Sequence, residues 1–324
     1  MSKKLAFAAL LGGVAVTAQA QTTAEVRPPN PAQVVAIPAP ASTVQASSVP
    51  TQLVTFYSKL SNESKNQIEG WVWKPAVASA SARVPLLIVA HGHSGAGTYA
   101  NPSTQFKTLA KQMTDLGIGV MLVNSFSASR NAYVLANYAS NYAIIPGLGS
   151  FRPVEASDHL VRPWDVVGAA EYAAKSMDWV DGNKLVGIGY SHGGTAFLGA
   201  AMSNHPVNLS NPQGGGRLFK KIFITYPGCG MSSPNNYKNS AAVVPAVIGI
   251  GSDDTSVSPS YCTGRQAESV AAAATNPSLY AFEYWLYKSA GHTWESTVTT
   301  PNLAAKFDWR TKVATYMKDL KNAP

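Results

Sequence analysis

Charge is scarce in this 324-residue chain, where Asp, Glu, Lys and Arg together fill 13% of positions. A globular protein usually carries about 25%, so the surface must be built largely from Ser, Thr, Asn, Gln, Gly and Ala. No internal period recurs, which excludes collagen, coiled coil and solenoid, and 46% hydrophobic residues exclude a disordered chain. No basic stripe with interleaved aromatics is present either. The formal +8 comes from 25 basic against 17 acidic residues, scattered as at Lys220, Lys221, Arg310, Lys312, Lys318 and Lys321. It gives no support for nucleic-acid binding, and no nucleic-acid partner is expected.

A long hydrophobic run is also missing. Leu5 to Val16 is a twelve-residue apolar stretch that follows Lys3 and Lys4 and precedes Ala18-Gln19-Ala20. Twelve helical residues rise ~18 Å, short of a hydrocarbon core of ~30 Å. A basic start, a short apolar core and an A-x-A site instead describe a secretory signal peptide over residues 1–20. The mature chain would begin at Gln21, with no stable membrane anchor, in the periplasm or outside the cell. Without Lys3 and Lys4 the charge excess falls to +6. Residues 21–51 hold Pro28, Pro29, Pro31, Pro38, Pro40 and Pro50 and two charges, Glu25 and Arg27. Such a segment buries too little apolar area to offset its ordering entropy and reads as a disordered or extended linker.

What remains, residues 52–324, alternates two kinds of segment. Apolar and β-branched runs occur at Leu53–Tyr57, Trp71–Trp73, Val84–Ala90, Ile118–Asn124, Leu185–Tyr190, Lys221–Tyr226, Ala242–Ile250 and Tyr280–Tyr287. Helical patterns fall at Thr104–Leu116, Leu160–Met177, Thr195–Ser203, Arg265–Ala274 and Leu303–Leu320. Strands alternating with helices predict an α/β domain with a mainly parallel central sheet and helices on both faces. Residues 127–158, rich in Ser, Asn, Tyr and Gly, fit neither pattern; they read as a lid, a binding loop or a surface insertion.

Chemistry begins at Gly189-Tyr190-Ser191-His192-Gly193, a G-x-S-x-G pattern set directly after a strand and before a small-residue helix. That setting marks a sharp elbow presenting a nucleophilic serine, with helix N–H groups beneath it to receive an oxyanion. A serine hydroxyl needs a base, itself oriented by a carboxylate. In elbows of this kind the chain order is serine, acid, histidine. His205 and His292 are the histidines beyond Ser191, and no acid separates Ser191 from His205, which leaves His292. The acids before His292 are Asp253, Asp254, Glu268 and Glu283. Glu268 lies in a helical pattern and Glu283 in a strand; Asp253 and Asp254 follow a strand, where such sites assemble. Both aspartates stay open. A second oxyanion donor is expected from the loop His91-Gly92-His93-Ser94-Gly95-Ala96-Gly97. His91 and His93 could ligate a metal, but no third ligand is evident; neither metal nor cofactor is expected.

Together these residues resemble the dienelactone hydrolase family of the α/β-hydrolase fold. The likeness rests on His91-Gly92, on Ser125-Phe126 with Arg130, and on Arg162 with Asp165. It continues through Ser191-His192-Gly193-Gly194, Tyr226-Pro227-Gly228-Cys229, Gly251 to Asp254, and Gly291-His292. The resemblance implies an acid three residues after the glycine, hence Asp254, with Ser191 as nucleophile and His292 as general base. It implies the backbone N–H groups of His93 and His192 as the oxyanion hole. The family's namesakes are cytoplasmic and use a cysteine nucleophile, whereas this elbow carries serine behind a leader. What is implied is therefore hydrolysis of a small-molecule ester or lactone of unspecified acyl group. A peptidase or polyester hydrolase would share the triad, and a non-catalytic ligand-binding scaffold would usually lack one of its members. The only cysteines, Cys229 and Cys262, each follow a strand, and an even count in an oxidising compartment predicts a disulfide. Oligomeric state is not legible.

Overall fold

The computed structural model describes residues 25–27, 49–59, 67–127, 161–211, 213–230, 238–297 and 299–324. The leader, and residues 128–158 of the stretch read as a lid, lie outside the described residues.

Among the described residues, nine strands form one sheet in the order β1-β9-β8-β7-β6-β4-β5-β3-β2. They are β1 (Glu25–Arg27), β2 (Gln52–Tyr57), β3 (Gln67–Trp73), β4 (Val84–Ala90), β5 (Gly119–Asn124), β6 (Val180–Tyr190), β7 (Lys221–Thr225), β8 (Ala246–Gly251) and β9 (Glu283–Tyr287). β2 and β3 form an antiparallel ribbon, and β3 joins β5 antiparallel. Every other pairing is parallel.

Sequence explains which strands sit where. All seven residues of β4 and all six of β8 are buried. Successive side chains point to opposite faces, so both faces there must be covered. β2 instead alternates, with Val54 and Phe56 inward and Leu53 and Tyr57 exposed, as suits the sheet's outer strand.

Helices supply the cover. α1 (Thr104–Asp115) turns Phe106, Leu109, Ala110 and Met113 inward, and α2 is Arg162–Ser176. α3 (His192–Ala201) is built of Gly, Ala, Thr, Phe and Leu beyond His192 and is buried on all sides after its first residue. α4 is the single turn Pro206–Leu209. α5 (Pro259–Thr275) and α6 (Thr300–Asn322) complete the set. α6 buries Trp309 edge-on against Phe223 of β7 and Trp285 of β9, with centroids 5.7 and 5.5 Å apart.

Within the stretch read as a disordered or extended linker, three residues are extended. Glu25–Arg27 pairs in parallel with Trp285–Tyr287 of β9 and extends the sheet. Extended backbone needs no periodic pattern to add to an open strand edge.

The order places the site. From β4 the chain moves one way to β5, whereas from β6 it moves the opposite way to β7. β4 and β6 are neighbours, so their following loops part and leave a crevice at the strands' carboxyl ends. His91 and Ser191 are the first residues past those ends.

Candidate active site

Ser191 sits at φ 52° and ψ −117°, in the left-handed half of backbone space. The position holds because its N–H donates to the Thr225 carbonyl at 2.9 Å while its own carbonyl accepts from Thr195 N–H at 2.9 Å. The flanking glycines are sterically required. A Cβ on Gly189 would strike the carbonyl of Gly193, and one on Gly193 would strike the carbonyl of Ala90. The spacing of the G-x-S-x-G pattern is thus set by backbone packing of β6 on α3 and of α3 on the end of β4.

His292 meets the serine from the far end of the sheet. Its Nε2 lies 3.1 Å from Ser191 Oγ, and its Nδ1 lies 2.7 Å from Asp254 Oδ2. With the proton on Nδ1, the ring donates to the carboxylate and leaves Nε2 to accept from the hydroxyl. The Asp254 carboxylate is fully buried, and its other oxygen accepts from the backbone N–H groups of Ser256 and Val257, both at 2.9 Å.

The neighbouring aspartate is placed otherwise. Asp253 is exposed, and its Oδ1 accepts from the Ser252 hydroxyl at 2.7 Å. Of the two candidates left open by elimination, Asp254 is the one brought to His292.

His192 directly follows Ser191, and the loop that carries His93 runs close to it. His192 is the first residue of α3, with Ser191 in the N-cap position. The loop after β4 passes close by, since a Cβ on Gly92 would lie 3.5 Å from Ser191 Cβ. The His93 and His192 rings meet edge to face with centroids 4.8 Å apart. His91 turns elsewhere, onto Phe126 at 4.6 Å, so the two histidines of the loop do not converge. Among the described residues no group of three His, Cys, Asp or Glu side chains is placed to hold a metal ion.

Arg162 supports this loop from below. Buried to 1% exposure, it donates from Nη2 to the His91 carbonyl at 2.8 Å, and its guanidinium lies 5.2 Å over the Phe126 ring. The sequence flagged Arg162 and Phe126 without a task for either.

Tyr190, Tyr226 and Trp294 are buried at 3%, 2% and 0% exposure. All three belong to the packed hydrophobic core. Tyr226 lies against the His292 ring at 4.8 Å and against Trp294 at 5.0 Å. Burial first, and then the carboxylate of Glu295, pushes the phenols of Tyr190 and Tyr226 well above their ordinary range.

Cys229 and Cys262 form a disulfide, with Cα atoms 5.0 Å apart. The bond joins the loop after β7 to the first turn of α5, eight residues beyond Asp254. Gly228 N–H also donates to Thr195 Oγ1 at 2.8 Å, so the same loop is held to α3.

A mainly parallel sheet covered on both faces, with serine, acid and histidine in that order at its carboxyl edge, defines a protein of the α/β-hydrolase fold. Solved structures share this fold. A putative dienelactone hydrolase from Klebsiella pneumoniae superposes with a TM-score of 0.52 at 15% identity, over 82% of this chain and 98% of that one. Thermogutta terrifontis esterase 2 phosphorylated by paraoxon superposes with a TM-score of 0.55 at 13% identity, over 84% and 96%. A structure from a study of two prolyl endopeptidases gives 0.52 at 15% identity, and covers 84% of this chain but 39% of that longer one. No protein-family model and no curated protein matches the chain.

Proposed function

We propose that this protein is an exported serine hydrolase that cleaves a carboxylic ester or a lactone through an acyl-enzyme. The observation that carries this assignment is the unbroken line from Asp254 through His292 to Ser191, with steps of 2.7 and 3.1 Å. In the first half-reaction Ser191 Oγ attacks the carbonyl carbon as its proton passes to His292 Nε2. Asp254 stays ionised and stabilises the imidazolium. The tetrahedral oxyanion is received by the backbone N–H groups of His93 and His192; one such donor is worth about 3–4 kcal/mol. The alcohol oxygen leaves with the proton from Nε2; in a lactone it remains attached as the ring opens. Water then attacks the acyl carbon as its proton passes to Nε2, and Nε2 returns that proton to Ser191 Oγ as the acid is released.

A second assignment, peptide-bond hydrolysis, is favoured by one observation, the structural likeness to a prolyl endopeptidase. The two are separated by giving purified protein short-chain p-nitrophenyl esters and a panel of peptides. A serine-directed fluorophosphonate tests the shared chemistry. It should label wild-type protein at Ser191 and leave Ser191→Ala unlabelled and inactive; an unlabelled wild type removes both assignments.

Export is part of the proposal. The leader over residues 1–20 supports it, as does a disulfide, a bond that persists in oxidising compartments. Mass spectrometry of the mature protein should find Gln21 at its N-terminus.

A further inference from the structure

α6 contributes no reacting group, yet three of its side chains reach the loop that carries His292. Asn302, Lys306 and Arg310 are spaced by four residues and so fall on one stripe of the helix. Asn302 Oδ1 accepts from the backbone N–H of Gly291 at 2.8 Å. Lys306 Nζ donates to the Glu295 carbonyl at 2.7 Å. Arg310 donates from Nε to Glu295 Oε2 at 2.7 Å, and its Nη2 takes the same oxygen at 2.5 Å. These contacts bracket the histidine, one residue before it and three after.

The loop between them does not hold its own shape cheaply. Thr293, directly after His292, adopts φ 56°, a left-handed conformation unfavourable for a β-branched residue. Such a residue persists only where its surroundings over-determine it. Asn302, Glu295 and Arg310 are themselves buried, at 6%, 2% and 7% exposure, so their contacts are shielded from competing water.

We propose that Asn302, Lys306, Arg310 and Glu295 are positioning residues that fix the height and rotation of the His292 ring over Ser191. The proposal rests on the serine-hydrolase assignment above. Misplacing a reacting group by 1 Å can cost about 100-fold in rate, so a three-point anchor on a rigid helix suits the part. Burial alone would pull the Arg310 guanidinium down; the Glu295 carboxylate, with Tyr190 and Tyr226, lifts it above its ordinary value.

The test measures fluorophosphonate labelling rates at Ser191, and kcat and KM for a p-nitrophenyl ester, on the full mature chain. Glu295→Leu with Arg310→Met replaces the buried pair by apolar groups, a change that is often neutral for stability. That double variant should keep its melting temperature but lose about tenfold or more in kcat and labelling rate, with KM within about twofold. Lys306→Met should lose less in the same sense, and Lys306→Arg, which keeps a donor for the Glu295 carbonyl, should recover it. If the double variant fails to fold, the Lys306 pair decides.

Two controls separate positioning from general support. Residues that act through His292 have nothing to act on in a His292→Ala background, so the same substitutions should slow it no further. Lys318→Met, exposed on the same helix, should change nothing. Anchor variants at the wild-type rate overturn the proposal, as do equal losses in the His292→Ala background or in Lys318→Met. An unlabelled wild type fails differently, because it removes the triad assignment first.

Discussion

The carbonyl of Ala90, at the end of β4, fills the space that a side chain on Gly193 would need. This contact sets α3 against the strand that precedes the His91–His93 loop. Gly193→Ala must push α3 and β4 apart or distort both. Overpacking of this kind costs about 1–3 kcal/mol. Urea denaturation should show that loss, and hydrolase activity should fall by more than stability does, because the shift moves Ser191 and the His91–His93 loop together.

The two aspartates after β8 should differ sharply in effect. Asp254→Asn disturbs the tautomer and the charge beneath His292, and in a comparable triad such a change lowers kcat by about 10⁴. Asp253→Asn alters an exposed carboxylate bonded to Ser252 Oγ and should stay within about twofold. Steady-state kinetics on both variants decides, and the opposite ranking would reassign the acid.

The disulfide should carry measurable stability. Closing a loop of 33 residues' separation is worth roughly 3–4 kcal/mol in the chain-entropy model. Cys229→Ser with Cys262→Ser should lower the urea stability by about that amount. Denatured, unreduced wild-type protein should show no free thiol on titration; two free thiols would contradict the bond.

Alkali should unfold the protein through its buried tyrosines. Tyr190 and Tyr226 are raised above 10 by burial, so the unfolded chain ionises first and binds fewer protons than the native one. Their contribution is therefore fully present below pH 10 and is lost as pH climbs towards the folded-state values. Each adds a downward slope of about 1.4 kcal/mol per pH unit in that window. Absorbance at 295 nm, followed with near-ultraviolet circular dichroism, should show these two phenols ionising only as tertiary structure is lost.

Much of this was legible in the chain because it is written locally. The seven apolar residues of β4, the glycines about Ser191 and the order of serine, acid and histidine all follow from short-range rules. The choice between Asp253 and Asp254 did not follow from such rules and came from the family resemblance alone, since both sit in one turn and only the fold shows which side chain points inward. β8 starts at Ala246, later than the apolar run suggests. Pro245 has no N–H for the ladder, and Ala242 bridges Met202 and Tyr280 instead. α5 begins at Pro259, ahead of its apolar pattern, at a proline suited to a first helical turn. The Glu295–Arg310 pair carries no sequence signal at all. Fifteen residues and a change of element separate two charges that only packing brings together.

Three residues near the N-terminus have a consequence for handling the protein. Glu25–Arg27 occupy the outer edge of β9, whose backbone groups would otherwise face open solvent on that side. A fragment trimmed at Pro50 keeps Ser191, Asp254 and His292. It also bares β9, the rim of the eight strands that remain, to any other strand in solution. The loss would register as stickiness at high protein concentration, with each molecule that stayed dispersed still turning over substrate.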